Sequence, residues 1–282
     1  MAGSLDLLID GLDFGEGPRW HDGRLWYSDF YQRAVYTVTS AGAREAVHAD
    51  LDDRPSGLGW LPDGSLLVVL MTSRRLVREV DGRLVDYADL SAVAGWHCND
   101  MVVSASGHAY VGNFGFDLEA RDKFQPADLA LVGPDGSVSV AAEAMAFPNG
   151  SVITPDGSTL IVGQSFGGDY VAFTIGDDGT LSDRRPWATM PGRAPDGCTL
   201  DAEGAIWFSD AVGTGVVRVL EGGEVTHTIA TPMPSYACVL GGDDGRTLFA
   251  LCAPDSHPDA VAGKAAGAIY AVEVDVPHAG LP

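Results

Sequence analysis

The chain has 282 residues, 46% of them hydrophobic, enough for a sizeable core and too apolar for global disorder. Its 39 acidic and 17 basic residues give a formal net charge of −22, which argues against a nucleic-acid or anionic-membrane partner, since either needs a basic surface. No run of about 20 apolar residues offers a membrane span, no basic leader opens the chain, and the four cysteines form no C-x-x-C pair, so the expectation is a cytoplasmic protein with buried, reduced thiols.

The first apolar segment, Leu7-Leu8-Ile9, stands ahead of everything that repeats. Glu16-Gly17-Pro18 then leads into a short strand that ends in the turn His21-Asp22-Gly23. Leu25-Trp26-Tyr27-Ser28, Ala34-Val35-Tyr36-Thr37-Val38 and Ala46-Val47 read as three further strands. The same skeleton returns along the chain. Turn glycines fall at Gly23, Gly64, Gly107, Gly157, Gly204 and Gly245, at intervals of 41, 43, 50, 47 and 41 residues, the period of propeller blades. A β-rich run follows each later turn: Leu66-Leu67-Val68-Val69, Ala109-Tyr110-Val111, Leu160-Ile161-Val162, Ile206-Trp207-Phe208 and Leu248-Phe249-Ala250. No 12-residue stretch has helical periodicity. Six copies of three or four strands predict an all-β, six-bladed β-propeller over residues 1–282 as a single domain, in preference to a β-sandwich or two β-domains. Leu7-Leu8-Ile9 is expected to close the ring as the outer strand beside Ala268-Ile269-Tyr270-Ala271-Val272, which removes an open edge. The widest interval holds a polar insertion, residues 117–126, which reads as a loop: a lid over one face or a solvated excursion.

Counting back from the turn glycines exposes a second regularity. Asn149, Asp196, Asn99 and Ser56 each lie eight residues before their turn glycine, Glu16 lies seven before, and the last copy has Ala237 at that place. Equivalent positions in a closed ring converge on its axis. Two carboxylates and an amide meeting there make an oxygen-rich site for a hard divalent cation. Taken singly, Asn149-Gly150 and Asp196-Gly197 read as ordinary turn dipeptides. Their recurrence with Glu16, each ahead of a second turn signal, favours ligation. Gly163-Gln164-Ser165-Phe166-Gly167 fits a nucleophile elbow, but the segment after it reads as a strand where an elbow needs a helix, so a serine hydrolase is a poor reading. The seven histidines contain no H-E-x-x-H or H-x-H pattern.

These residues resemble the SMP-30/gluconolactonase/LRE family. The resemblance rests on Glu16-Gly17-Pro18-Arg19-Trp20, Asn99-Asp100, Pro148-Asn149-Gly150 and the run from Pro195-Asp196-Gly197 to Ala202-Glu203-Gly204, and it covers essentially the whole chain. It implies a six-bladed propeller with one divalent metal on the axis. It implies Glu16, Asn149 and Asp196 as metal ligands, and Asn99 as the residue that contacts substrate or a metal-bound water. Sugar lactonases of the family commonly carry Arg two residues before the Asn that corresponds to Asn99; here that residue is His97, preceded by Trp96. With Phe114, Phe116, Phe166 and Tyr236 near the expected mouth, the departure points to lactones less polar than gluconolactone.

The reading that follows is a metal-dependent hydrolase that opens a lactone or related cyclic ester with metal-activated water. Ca²⁺ is the first candidate, with Zn²⁺, Mn²⁺ and Mg²⁺ as alternatives. Asp196 doubles as ligand and proton acceptor, Asn99 contacts the substrate, and His97 donates to the substrate or shuttles a proton, against the plainer reading of a packed histidine. The partner is a small-molecule substrate. The alternatives are isomerase- or cyclase-type chemistry at the same site, or a non-catalytic ligand-binding propeller.

Overall fold

The computed structural model describes residues 4–282. Six four-stranded antiparallel sheets stand around a common axis. Blades one to five each run outward in chain order from an innermost strand: Gly15–His21, Pro55–Trp60, Cys98–Val103, Pro148–Ile153 and Pro195–Leu200. The sixth starts at Ser235–Gly241 and takes its outer strand, Asp6–Leu12, from the other end of the chain. There Leu7 faces Tyr270 and Ile9 faces Ile269. The ring therefore closes as the sequence predicts. Among the described residues the single helix is the four-residue Pro258–Val261, and no helix is long and apolar enough to cross a membrane.

Burial falls off from the axis outward. The innermost strands Cys98–Val103, Pro148–Ile153 and Pro195–Leu200 are buried throughout, whereas the outer strand Arg44–His48 is almost wholly exposed. The far end of each innermost strand is closed by the predicted turn. All six turn glycines hold φ between 71° and 85°, a region an L-residue enters only at a cost. The four cysteines are buried and unpaired.

Near the axis the blades come into backbone contact. A Cβ on Gly150 would sit 2.3 Å from the Asp196 carbonyl oxygen, so the glycine of Asn149-Gly150 is required by its neighbour blade. Gly150 and Gly197 lie inside strands without positive φ, so these dipeptides are not the turns they resemble.

Arg19, buried, ties three blades together. Its Nε donates to the Leu58 carbonyl (2.9 Å), Nη1 to the Pro18 carbonyl (2.7 Å) and Nη2 to Asp100 Oδ1 (2.7 Å). Arg19→Leu strands Asp100 as a buried, unpaired charge and is expected to destabilise the protein by about 3–5 kcal/mol. The double variant Arg19→Leu/Asp100→Leu recovers much of that loss, because both charges leave together. Urea unfolding of the three proteins checks this, and a single variant as stable as wild type contradicts it.

Candidate active site

Every innermost strand carries the same irregularity where it starts. In blades one to five, four residues of the innermost strand span three of its partner: Glu16 to Arg19 against Ser28 to Trp26, Pro148 to Ser151 against Gln164 to Val162, Pro195 to Cys198 against Asp210 to Phe208. The extra residue is a β-bulge, which bends the strand and re-aims a side chain. Ser56, Asn99, Asn149 and Asp196 sit inside their bulges, and Glu16 sits at the edge of its own. Four of these, Glu16, Asn99, Asn149 and Asp196, line one cavity of about 310 Å³. All four are buried.

The sixth bulge corrects the count from the turn glycine. Ser235 faces Cys252 as Pro195 faces Asp210, so the place of Asp196 is taken by Tyr236, and Ala237 packs against Gly197 one residue further in. The innermost strand here runs seven residues, one longer than Pro195–Leu200, which shifts the count by one. Tyr236 lines the cavity.

The amide of Asn149 is oriented from behind. Its Nδ2 donates to Ser165 Oγ (3.1 Å), and Ser165 Oγ donates to the Pro195 carbonyl (2.7 Å). This leaves Asn149 Oδ1 buried with no hydrogen-bond donor. The serine of the elbow-like motif lies between the strands Thr159–Gln164 and Asp169–Ile175, with no helix following, and its task is to aim Asn149. Glu16 Oε2 accepts from the Gly17 amide (3.1 Å), and Asn99 Oδ1 faces the Ser56 hydroxyl at 3.5 Å.

Burial raises the Glu16 carboxyl well above the usual carboxylate range, and the charges of Asp196 and Asp100 raise it further. Asp196 is also raised, first by burial and then by Asp100, while the Asn149 amide partly offsets this. Two buried carboxylates opposing their own ionisation, beside an orphaned amide oxygen, form a donor set that a divalent cation would satisfy at once. Among the described residues no three His, Cys, Asp or Glu side chains gather to hold a metal ion; a cation here would rest on the Glu16 and Asp196 carboxylates with the Asn149 amide oxygen, a set that suits a hard cation.

A second set of buried side chains holds the loops that lead into the axial positions. Asp29 accepts from the Phe14 and Tyr31 amides, Asn113 Oδ1 from the Gly95 and Gly115 amides, Gln164 Oε1 from the Ala146 amide, and Asp210 from the Ala194 amide. Each ends the second strand of its blade. The repeat alignment carries this signal, since Ser28-Asp29, Gly112-Asn113, Gly163-Gln164 and Ser209-Asp210 are equivalent.

Above the axial residues is a rim made by the residues two positions earlier: Phe14, Arg54, His97, Phe147, Ala194 and Pro234. Phe14, Arg54, Phe147 and Ala194 line the cavity; His97 and Pro234 are outside its wall. His97 is half-buried, its ring stacked on Trp96 at 5.1 Å and tilted against Phe114 at 6.1 Å, and burial lowers its pKa. Among the described residues, Arg54 is the only cationic side chain in the wall. It occupies in blade two the repeat position that His97 holds in blade three, so the repeat count contained it. The 117–126 segment reaches over this side of the mouth: Leu118 and Glu119 line the cavity, and Glu119 forms an ion pair with Arg54.

The SMP-30/gluconolactonase/LRE-like sequence profile matches residues 14–253. The chain belongs to this family. It is 25% identical over 280 residues to the pentonolactonase XacC of Haloferax volcanii, covering 92% of this chain and 90% of that one. It is 27% identical over 303 residues to the L-arabinolactonase of Azospirillum brasilense, covering 99% and 94%. The structure of a calcium-binding protein, regucalcin, from Agrobacterium tumefaciens shares the fold with a TM-score of 0.83, 20% identity and coverage of 99% and 97%. In this family member the axial carboxylates and amides, the bulges and every cavity-lining residue except Ser256 lie inside the matched region.

Proposed function

We propose that the protein is a metal-dependent hydrolase that opens a lactone or related cyclic ester, with Glu16, Asn149 and Asp196 holding one divalent cation. Ca²⁺ fits the all-oxygen donors first, with Mn²⁺, Mg²⁺ and Zn²⁺ as alternatives. The observation that carries the reading is Asn149 Oδ1, buried without a partner beside two carboxylates that resist ionisation. The lactonase names of the relatives supply the reaction class. The reading takes residues 1–282 as one catalytic domain in the cytoplasm, with a small-molecule substrate and neither nucleic acid nor membrane as partner.

Held by Glu16, Asn149 and Asp196, a cation would supply Lewis acidity to the lactone carbonyl and to water. The chain's own residues do the rest. Asp196 accepts the proton of the attacking water, whose oxygen bonds to the carbonyl carbon. The Asn99 amide faces the same cavity and orients the reacting group. The ring C–O bond then breaks and the departing ring oxygen takes up the proton, giving the hydroxy acid. Apolar walls around the axis keep bulk water away from the charged floor.

The test is a panel of lactones presented to chelator-stripped protein with Ca²⁺, Mn²⁺, Mg²⁺ or Zn²⁺ restored in turn, with acid release followed by a pH indicator. Opening of at least one lactone only in the presence of a cation is expected. A product of unchanged mass would favour isomerisation, and no turnover with any of the four cations would remove the hydrolase reading.

A further inference from the structure

We propose that the substrate is a neutral lactone bearing a flat, apolar substituent, lodged between two aromatic walls above the axial residues. The proposal rests on the lactonase reading and adds the substrate class to it.

The rim is built from two concentric rings that repeat from blade to blade. The upper ring is the set two residues before each axial position. The second is Phe30, Met71, Phe114, Ser165, Ala211 and Ala253. In every blade the two are joined by a backbone hydrogen bond, as from the Phe30 amide to the Phe14 carbonyl (3.1 Å) and from the Ser165 amide to the Phe147 carbonyl (3.1 Å). Of these twelve positions only Arg54, His97 and Ser165 are polar beyond their backbone. Each is already committed or turned away. Ser165 is spent on Asn149 and Pro195. Arg54 pairs with Glu119 and lies over the Tyr31 ring at 5.1 Å. His97 stands outside the cavity wall. A polyhydroxylated lactone would bury several hydroxyls against these rings without partners, which a pocket of this kind rejects.

The aromatic rings fall into two groups. Phe14 contacts Phe30 at 5.2 Å and Tyr236 at 4.8 Å, and these belong to blades one and six. Phe114 stacks on Phe147 at 4.6 Å, and Phe147 contacts Phe166 at 5.2 Å; these belong to blades three and four. In a six-bladed ring those two pairs of blades are opposite. A flat group above the axis is therefore faced by rings on both sides. Phe147 is held at φ 66°, a conformation costly for a bulky residue and common at functional sites. The outer edge continues the same surface: Phe166 stacks on Phe124 of the 117–126 segment at 5.6 Å and 17°, and both remain substantially exposed, at 53% and 44%.

The experiment compares kcat/KM of the cation-loaded protein for a phenyl-substituted γ-butyrolactone and for a hydroxylated sugar lactone. The phenyl lactone is expected to be preferred by about 100-fold. Phe147→Leu should cut that preference by roughly tenfold. Glu119→Gln, on an exposed loop where folding is not at stake, releases Arg54 and should raise kcat/KM for a lactone carrying a carboxylate by about tenfold. A preference for the sugar lactone, or ratios unmoved in both variants, overturns the proposal. If no lactone is opened the lactonase reading fails, and calorimetric titration with the same two lactones still decides the substrate class: tighter binding of the sugar lactone overturns the proposal, tighter binding of the phenyl lactone, weakened in Phe147→Leu, upholds it.

Discussion

Asp196→Asn is expected to lower kcat on the best lactone by about 10³-fold, the usual weight of a positioned general base. The cation should stay bound, with affinity reduced only about tenfold, because an amide carbonyl still offers an oxygen where one negative charge has gone. The split follows from the two tasks given to one side chain: ligation needs a lone pair, proton acceptance needs a base. The metal-free variant should also melt higher than metal-free wild type at pH 8, since the buried carboxylate of wild type opposes its own ionisation. Steady-state kinetics and cation titration on one preparation separate the effects. Near-normal turnover would show that Asp196 is not the base; a loss of turnover fully explained by lost cation would show that it is a ligand only.

Removing the cation is expected to lower the melting temperature, more at pH 8 than at pH 5. In the metal-free folded protein Glu16 and Asp196 are raised, Asp196 from 3.8 to about 8. The folded state then holds more protons than the unfolded chain across that window. The stability these protons represent is fully present below the ordinary carboxylate range and is lost as pH rises through the raised values. With a cation bound, both groups stay ionised against an opposite charge, and the loss disappears. A cation at 100 times its dissociation constant adds about 2.7 kcal/mol. For a chain of this size that is roughly 5–10 °C in melting temperature. Thermal melts with and without EDTA at the two pH values check both magnitude and sign. Curves that coincide at both pH values would mean that no cation holds the blades together at the axis.

The blade repeat was legible because it is local. A turn glycine, a β-rich run and a polar residue at fixed offset can be read within one copy, and copies can be compared without knowing where they lie. That comparison predicted the ring, its closure by the first strand, and the convergence of Glu16, Asn99, Asn149 and Asp196. It failed by one residue in the sixth blade, where a longer innermost strand puts Tyr236 on the axis and Ala237 behind it. It also could not tell a turn dipeptide from a bulge. Asn149-Gly150 has the composition of both, and what decides between them is the Asp196 backbone 2.3 Å from where a Cβ would stand, a neighbour 46 positions along the chain.

By itself, then, the sequence determined the number of blades and the convergence of Glu16, Asn99, Asn149 and Asp196 on the axis, because both follow from short-range periodicity. Only the tertiary structure decided how those donors are aimed and what stands above them. Ser165 turns the Asn149 amide from the next loop of the same blade. Glu119 reaches 65 residues back to pair with Arg54, so that cation of the wall is already matched. Phe147 and Phe14 face one another across the axis only once the ring has closed. These relations are set by loops from separate blades meeting at one end of the axis, and no pattern within a single repeat contains the distance between two blades.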